Sequence, residues 1–134
     1  MRKSFSVGVI VVMAFLASSC GSGVSEANIS ACETFDFAHK NVEDTVALAI
    51  ANEHDDYYKN LAQVASSKRP GLIKKAYEQS EGELASDFQT LAGMASRMDA
   101  TEATRDAAIA YYMSVPDIIE ACQEAGAEME SAGL

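Results

Sequence analysis

From about residue 30 onward, the apolar residues of this chain recur every three or four positions, and no stretch alternates every two. That spacing gathers them on one face of an α-helix, whereas a half-buried strand needs a period of two. Cys32, Phe35, Ala38, Val42, Val46, Ala49, Ile50, Tyr57, Leu61 and Val64 form a first face. Ile73, Tyr77, Leu84, Phe88, Leu91, Ala95 and Met98 form a second. Ala108, Tyr111, Tyr112 and Val115 come next, and then Ile118, Ile119, Cys122 and Met129. A chain of 134 residues has room for one domain. The expected fold class is all-α: a small antiparallel helix bundle of three to four helices.

Local chemistry suggests where these helices start and stop. Asn41 with Asp44 offers a cap-like start, so a turn near His39–Asn41 divides the first stretch. Ser66 to Gly71 breaks the next pattern, with Pro70 suited to the first position of a new helix. Asp99 with Glu102 three later resembles a capping box. Pro116 interrupts the apolar pattern of the last stretch, and Gly126 is a candidate stop. Gly82 and Gly93 fall inside the second stretch, each costing ~1 kcal/mol relative to Ala. Close helix approach or a local break would account for them.

The N-terminus has a different character. Arg2 and Lys3 precede an apolar run from Phe5 to Ala17, then Ser18-Ser19-Cys20. A short basic region, a hydrophobic core and small residues at a cut are the layout of a secretory signal. The run is much shorter than the roughly 20 apolar residues that span a bilayer. Residues 1–19 are therefore read as a signal peptide, 20–29 as a flexible tether and 30–134 as the helical domain.

Leu16-Ala17-Ser18-Ser19-Cys20 resembles the lipobox of bacterial lipoproteins. The resemblance implies cleavage before Cys20, lipid on its thiol, and an exported protein held on the outer face of the cell membrane. Leu sits one place further back than the family prefers, where Ala17 stands. Ordinary cleavage nearby, leaving Cys20 a spare thiol, is the alternative. Loss of residues 1–19 removes two of ten basic residues and none of twenty acidic ones, leaving eight against twenty and a charge of −12. So acidic a body argues against nucleic acid, whose affinity rests on Lys and Arg at phosphates. It argues equally against lying on anionic lipid, so the membrane partner is reached through the lipid on Cys20.

Two cysteines remain, Cys32 and Cys122, near the two ends of the domain. Outside the cytosol such a pair is expected to form a disulfide. Three straight antiparallel helices over 30–67, 71–98 and 100–130 would put these cysteines ~40 Å apart, against the ~7 Å between Cα atoms that a disulfide allows. Something must reverse the chain. Pro116 is the leading candidate, helped by a fold-back near Asn41, so the bundle is expected to be interrupted near Pro116 and clipped by one disulfide.

The frame Ala31-Cys32-x-x-Phe35 and Ala121-Cys122-x-x-Ala125-Gly126 resembles small cysteine-paired helical lipoproteins of actinobacteria and their phages. That resemblance implies architecture and address; many such proteins have no known activity.

Chemistry is sparse. His39 with Glu43 one turn on, and His54 among Glu53, Asp55 and Asp56, are the metal candidates. Adjacent helical residues fan out by about 100° each, so the second cluster does not converge, and structural histidines are the ordinary reading. No zinc spacing, EF-hand loop or phosphate-cradling glycine pattern occurs. No nucleophile, base and orienting group stand out as a trio. The pairs Glu78/Glu81 and Glu83/Asp87 read as a solvated acidic face. No enzyme, cofactor or metal is expected.

Two features bear on binding. Lys68, Arg69, Lys74 and Lys75 are half of the basic residues left after cleavage, gathered around the expected turn. Such a basic tip suits an anionic wall polymer or an envelope protein. Tyr57-Tyr58 and Tyr111-Tyr112 are adjacent pairs, and one helix face cannot bury both members; Tyr58 and Tyr112 are the candidate rim residues. The leading expectation is a membrane-anchored, non-enzymatic interaction module. A phage-encoded lipoprotein that excludes superinfecting phage is a narrower version, and an envelope enzyme or small-ligand carrier is the third class, requiring a concave pocket.

Overall fold

The computed structural model describes residues 24–98 and 104–133. Residues 1–19, expected to be a signal peptide, Cys20 and the Asp99/Glu102 pair lie outside the described residues. Four helices occur in order: α1 (Glu26–Ala51), α2 (Asp56–Gln79), α3 (Gly82–Met98) and α4 (Thr104–Glu124), with a short 3₁₀ turn at Glu130–Gly133. No strand occurs among the described residues. None of their helices is long and apolar enough to cross a membrane.

Each helix runs antiparallel to the next, and the ring closes. Thr34 on α1 donates to Gln79 near the end of α2. Arg69 of α2 meets Met98 at the end of α3, and Ser114 of α4 meets Met94. Between α4 and α1, Cys32 is bonded to Cys122 with Cα atoms 5.6 Å apart. Phe35, Ile73, Phe88, Leu91, Tyr111 and both cysteines fill the core between the four helices.

The reversal that permits the disulfide is not at Pro116. α4 passes through that proline without a break. Ala107, Tyr111, Val115, Ile118 and Cys122 form one buried stripe along it, so packing of a continuous apolar face outweighs the lost hydrogen bond. Nor does the chain turn near Asn41, which lies within α1. The turn comes at Asn52–Asp55: Asn52 caps α1 through its backbone N–H to the Leu48 carbonyl, and the Asp55 side chain accepts from the Tyr57 N–H to start α2. That one extra reversal makes four helices rather than three and brings Cys32 and Cys122 to the same end.

Ser66–Gly71 is likewise no turn. Pro70 sits inside α2, where Ala65, Arg69, Ile73 and Ala76 keep one buried face in phase on both sides of it. The second break falls at Ser80–Glu81, and Gly82 opens α3 with φ +65°, a conformation costly to any residue with a Cβ. Gly93, by contrast, is exposed, with nothing within 4 Å of where a Cβ would stand; close helix approach does not explain it. α1 begins at Glu26 behind the Ser25 cap, taking in residues expected to belong to the tether.

Gly126 is the stop for α4. At φ +88° it places its own N–H on the Gln123 carbonyl and that of Ala127 on the Cys122 carbonyl. This double bond pattern satisfies two of the helix's last free carbonyls. The chain then returns along α1, where the Asp36 carboxylate accepts the backbone N–H groups of Glu130 and Ser131, each at 3.0 Å, and the Ser131 hydroxyl.

Candidate functional site

The closing seam of the ring, between α1 and α4, is its most open one. The disulfide holds the two helices together at one end. Further along, a cleft of about 570 Å³ lies between them, in the size range of small-ligand sites. Its walls are His39 and Glu43 of α1, then Tyr112, Val115, Pro116, Ile119, Glu120 and Gln123 of α4; Ser131 and Ala132 close one end. The α4 residues recur three or four apart because they share one side of that helix. Val115 belongs to the buried stripe, and the others lie beside it.

The floor of the cleft is an aromatic and polar cluster. His39 is buried, stacked on Phe35 at 5.7 Å, with its Nδ1 3.4 Å from the Tyr111 hydroxyl. Burial lowers its pKa below the usual 6.5; Glu43 and Asp36 oppose that shift and Arg69 adds to it. Burial likewise raises the Tyr111 hydroxyl's pKa far above the ordinary phenol value. Tyr112, 44 % exposed, donates to Glu43 Oε1 at 3.0 Å, and burial followed by the Glu43 charge raises its pKa. Both phenols therefore stay protonated donors through the neutral range.

Arg69 reaches this cluster from α2. Only 4 % exposed, it lays its guanidinium 4.8 Å over the Tyr111 ring and touches the Met98 sulfur at 3.6 Å. Its Nε and Nη1 are buried without a hydrogen-bond partner, and no carboxylate pairs with it among the described residues.

The sequence-based surface is thereby partly overturned. Arg69 is interior, and Lys68, Lys74 and Lys75 occupy the middle of a continuous helix rather than a turn. Lys68 and Lys75, seven apart, share a side, whereas Lys74 points away from them and pairs with Glu78 at 3.7 Å. The four charges do not form one basic tip. Of the tyrosines, Tyr112 is at the rim with Tyr111 buried, but in the other pair Tyr57 is outside at 66 % exposure and Tyr58 is half-buried. His54 is exposed and lies 3.4 Å from Glu53.

His39 and Ser131 line the cleft and Asp36 lies behind Ser131, together the residue types of a hydrolytic triad. Their connections are wrong for one: Ser131 donates directly to Asp36, while the polar neighbour of His39 is Tyr111. Triad chemistry requires the histidine between the other two. Asp36 here is a clamp on the chain's end. Among the described residues, no group of three or more His, Cys, Asp or Glu converges to hold a metal ion.

No protein-family model matches this chain, and neither a curated protein nor a solved structure matches it significantly.

Proposed function

We propose that this chain is a lipid-anchored, non-enzymatic interaction module of the cell envelope, exported, attached through Cys20, and binding through the cleft between α1 and α4. The observation that carries the binding half is the uncovered apolar edge of α4. Ile109 and Met113 are exposed, at 48 % and 73 %, on the solvent side of α4 next to the cleft-lining Tyr112 and Pro116. Apolar side chains aligned beside a cleft are what a binding groove needs, whereas singly scattered ones would need no explanation. The anchoring half rests on the lipobox-like segment ending at Cys20.

In this arrangement Ser25, the cap of α1, stands at the disulfide end of the bundle, where the proposed anchor would join it. A photoreactive amino acid at Met113, in cells expressing the full chain, is expected to give one discrete crosslinked product. The same label at exposed Lys75 on α2 is expected to give none. No product at Met113 would remove the binding half. Mass spectrometry of the purified protein tests the anchor, expecting diacylglyceryl on Cys20; an unmodified thiol there would remove that half alone.

A further inference from the structure

We infer that the partner presented to the α1/α4 cleft is a basic amphipathic helical segment of another protein, with a Lys or Arg of that segment held between Glu43 and Glu120. The inference rests on the binding role proposed for this cleft and adds the chemistry of what fills it. Glu43 and Glu120 stand on opposite walls, one from each helix, and no Lys or Arg is among the lining residues. Glu43 is half-buried and already accepts from Tyr112 through Oε1, which leaves Oε2 for a donor from outside. The Tyr112 ring beside it offers a cation a π face.

Shape and length favour a helix. Ile109, Met113 and Pro116 run along one side of α4, with Ile119 following on the cleft wall; the eleven residues from Ile109 to Ile119 span about 15 Å of helix. That is three turns, the span over which an amphipathic helix places i, i+3, i+4 and i+7 anchors in a groove. Charge decides between occupants. A second copy of this chain would bring its own net charge of −10 against the acidic walls, and like charges disfavour that pairing. Arg69 brings one positive charge to the cluster beneath the cleft, and Lys40 is held by Asp44 at 2.8 Å, so among the described residues the two wall carboxylates outnumber the cation beside them.

The test uses the purified full chain and three synthetic 14-residue peptides carrying a fluorophore. One is amphipathic with Leu on one face and Lys on the other; the second replaces each Lys by Glu; the third has the Lys/Leu composition scrambled to destroy the apolar face. Anisotropy is expected to show saturable binding of the first alone, weakening with added salt. The double variant Glu43→Gln/Glu120→Gln, which keeps an acceptor for Tyr112, is expected to bind it about five-fold more weakly. The control Glu78→Gln/Glu81→Gln, at the α2–α3 turn and outside the cleft lining, is expected to leave binding unchanged.

Amide shifts on titration are expected around Glu43, Tyr112, Met113 and Ile119. Equal binding of the Glu peptide, equal binding of the scrambled one, indifference to Glu43→Gln/Glu120→Gln, or shifts confined to the Asn52–Asp55 end would each overturn the inference. A second copy as occupant would show as concentration-dependent dimerisation in sedimentation, and would overturn it too. A crosslink at Met113 alongside a failed peptide titration leaves the binding role standing and removes only the partner's chemistry.

Discussion

Asp36 and Ser131, 95 positions apart, are joined by the Asp36 carboxylate, which accepts both the amide and the hydroxyl of Ser131. With the Glu130 amide as a third donor, one buried side chain of α1 holds the end of the chain against the cleft. Asp36→Ala is expected to cost about 2–4 kcal/mol, because three donors lose a charged acceptor in a buried place. Urea denaturation measures the loss. Amide exchange at Ser131 should accelerate well beyond that at Leu91 in the core. Asp36→Asn, which retains one acceptor oxygen, should fall between the two.

The disulfide closes a loop with a sequence separation of 90 residues. On the chain-entropy argument its removal costs about 4–5 kcal/mol, less any strain released. Cys32→Ala/Cys122→Ala is therefore expected to lower the unfolding midpoint sharply. Reductant should lower that of the parent protein and leave the double variant where it is. Equal midpoints for parent and variant would show that the bundle holds without its clip.

His39 links stability to mild acid. Burial lowers its folded pKa below the usual 6.5, so the unfolded chain takes up the proton first as pH falls. Stability is then full above about 6.5 and declines below it, until the folded imidazole is protonated as well. The facing charges are Glu43 and Asp36, which favour the proton, and Arg69, which opposes it. Denaturation midpoints should drop between pH 7 and pH 5, and His39→Gln should remove that part of the slope. An unchanged slope would place the acid sensitivity elsewhere.

Arg69 presents the reverse case, a charge whose removal is expected to help. Its guanidinium is buried with two nitrogens unpaired, and the cation–π contact with Tyr111 offsets only about 1–2 kcal/mol. Arg69→Met keeps the length and the apolar contacts with Met98 and Tyr111 while ending the desolvation cost. It is expected to be neutral or to stabilise by about 1–3 kcal/mol in thermal denaturation. Arg69→Lys should destabilise, since an ammonium is more strongly hydrated and loses the flat contact.

Periodicity makes the helical class legible in the sequence, and the isolated cysteine pair makes the disulfide so; the positions of the turns are not. The louder signals, Pro70 and Pro116, lie inside helices, and the quieter ones, Asn52 with Asp55 and Ser80 with Gly82, make the reversals. A proline's cost is local and bounded, so a long buried stripe overrides it. The unbroken spacing of Ala107, Tyr111, Val115, Ile118 and Cys122 is the visible sign that it does. Asp55 looks in sequence like part of an acidic cluster around His54, whereas its side chain is a helix cap.

The cleft is harder to see. Tyr112 stands out as a rim residue, and His39 with Glu43 as a pair, but Arg69 passes for surface because four nearby cations look like a patch until the helix phase separates them. Ser131 and Asp36 give no sign of one another in sequence, since their contact depends on the path of the chain after Gly126. The apolar edge of α4 is hidden by its own regularity: Ile109 and Met113 look like ordinary members of a helical pattern until Tyr111 fixes which way the core lies.

Where the bond between Cys32 and Cys122 falls also governs how the bundle bears mechanical load. A pull on the N-terminal side of Ser25 can unwind only Glu26 through Ala31, six residues, before it meets a covalent stop. From there the tension passes to α4 as well as α1, so the force must shear two helices out of the core together instead of unzipping one. A domain fastened in this way keeps the groove between those two helices in register under a pull from its N-terminal side.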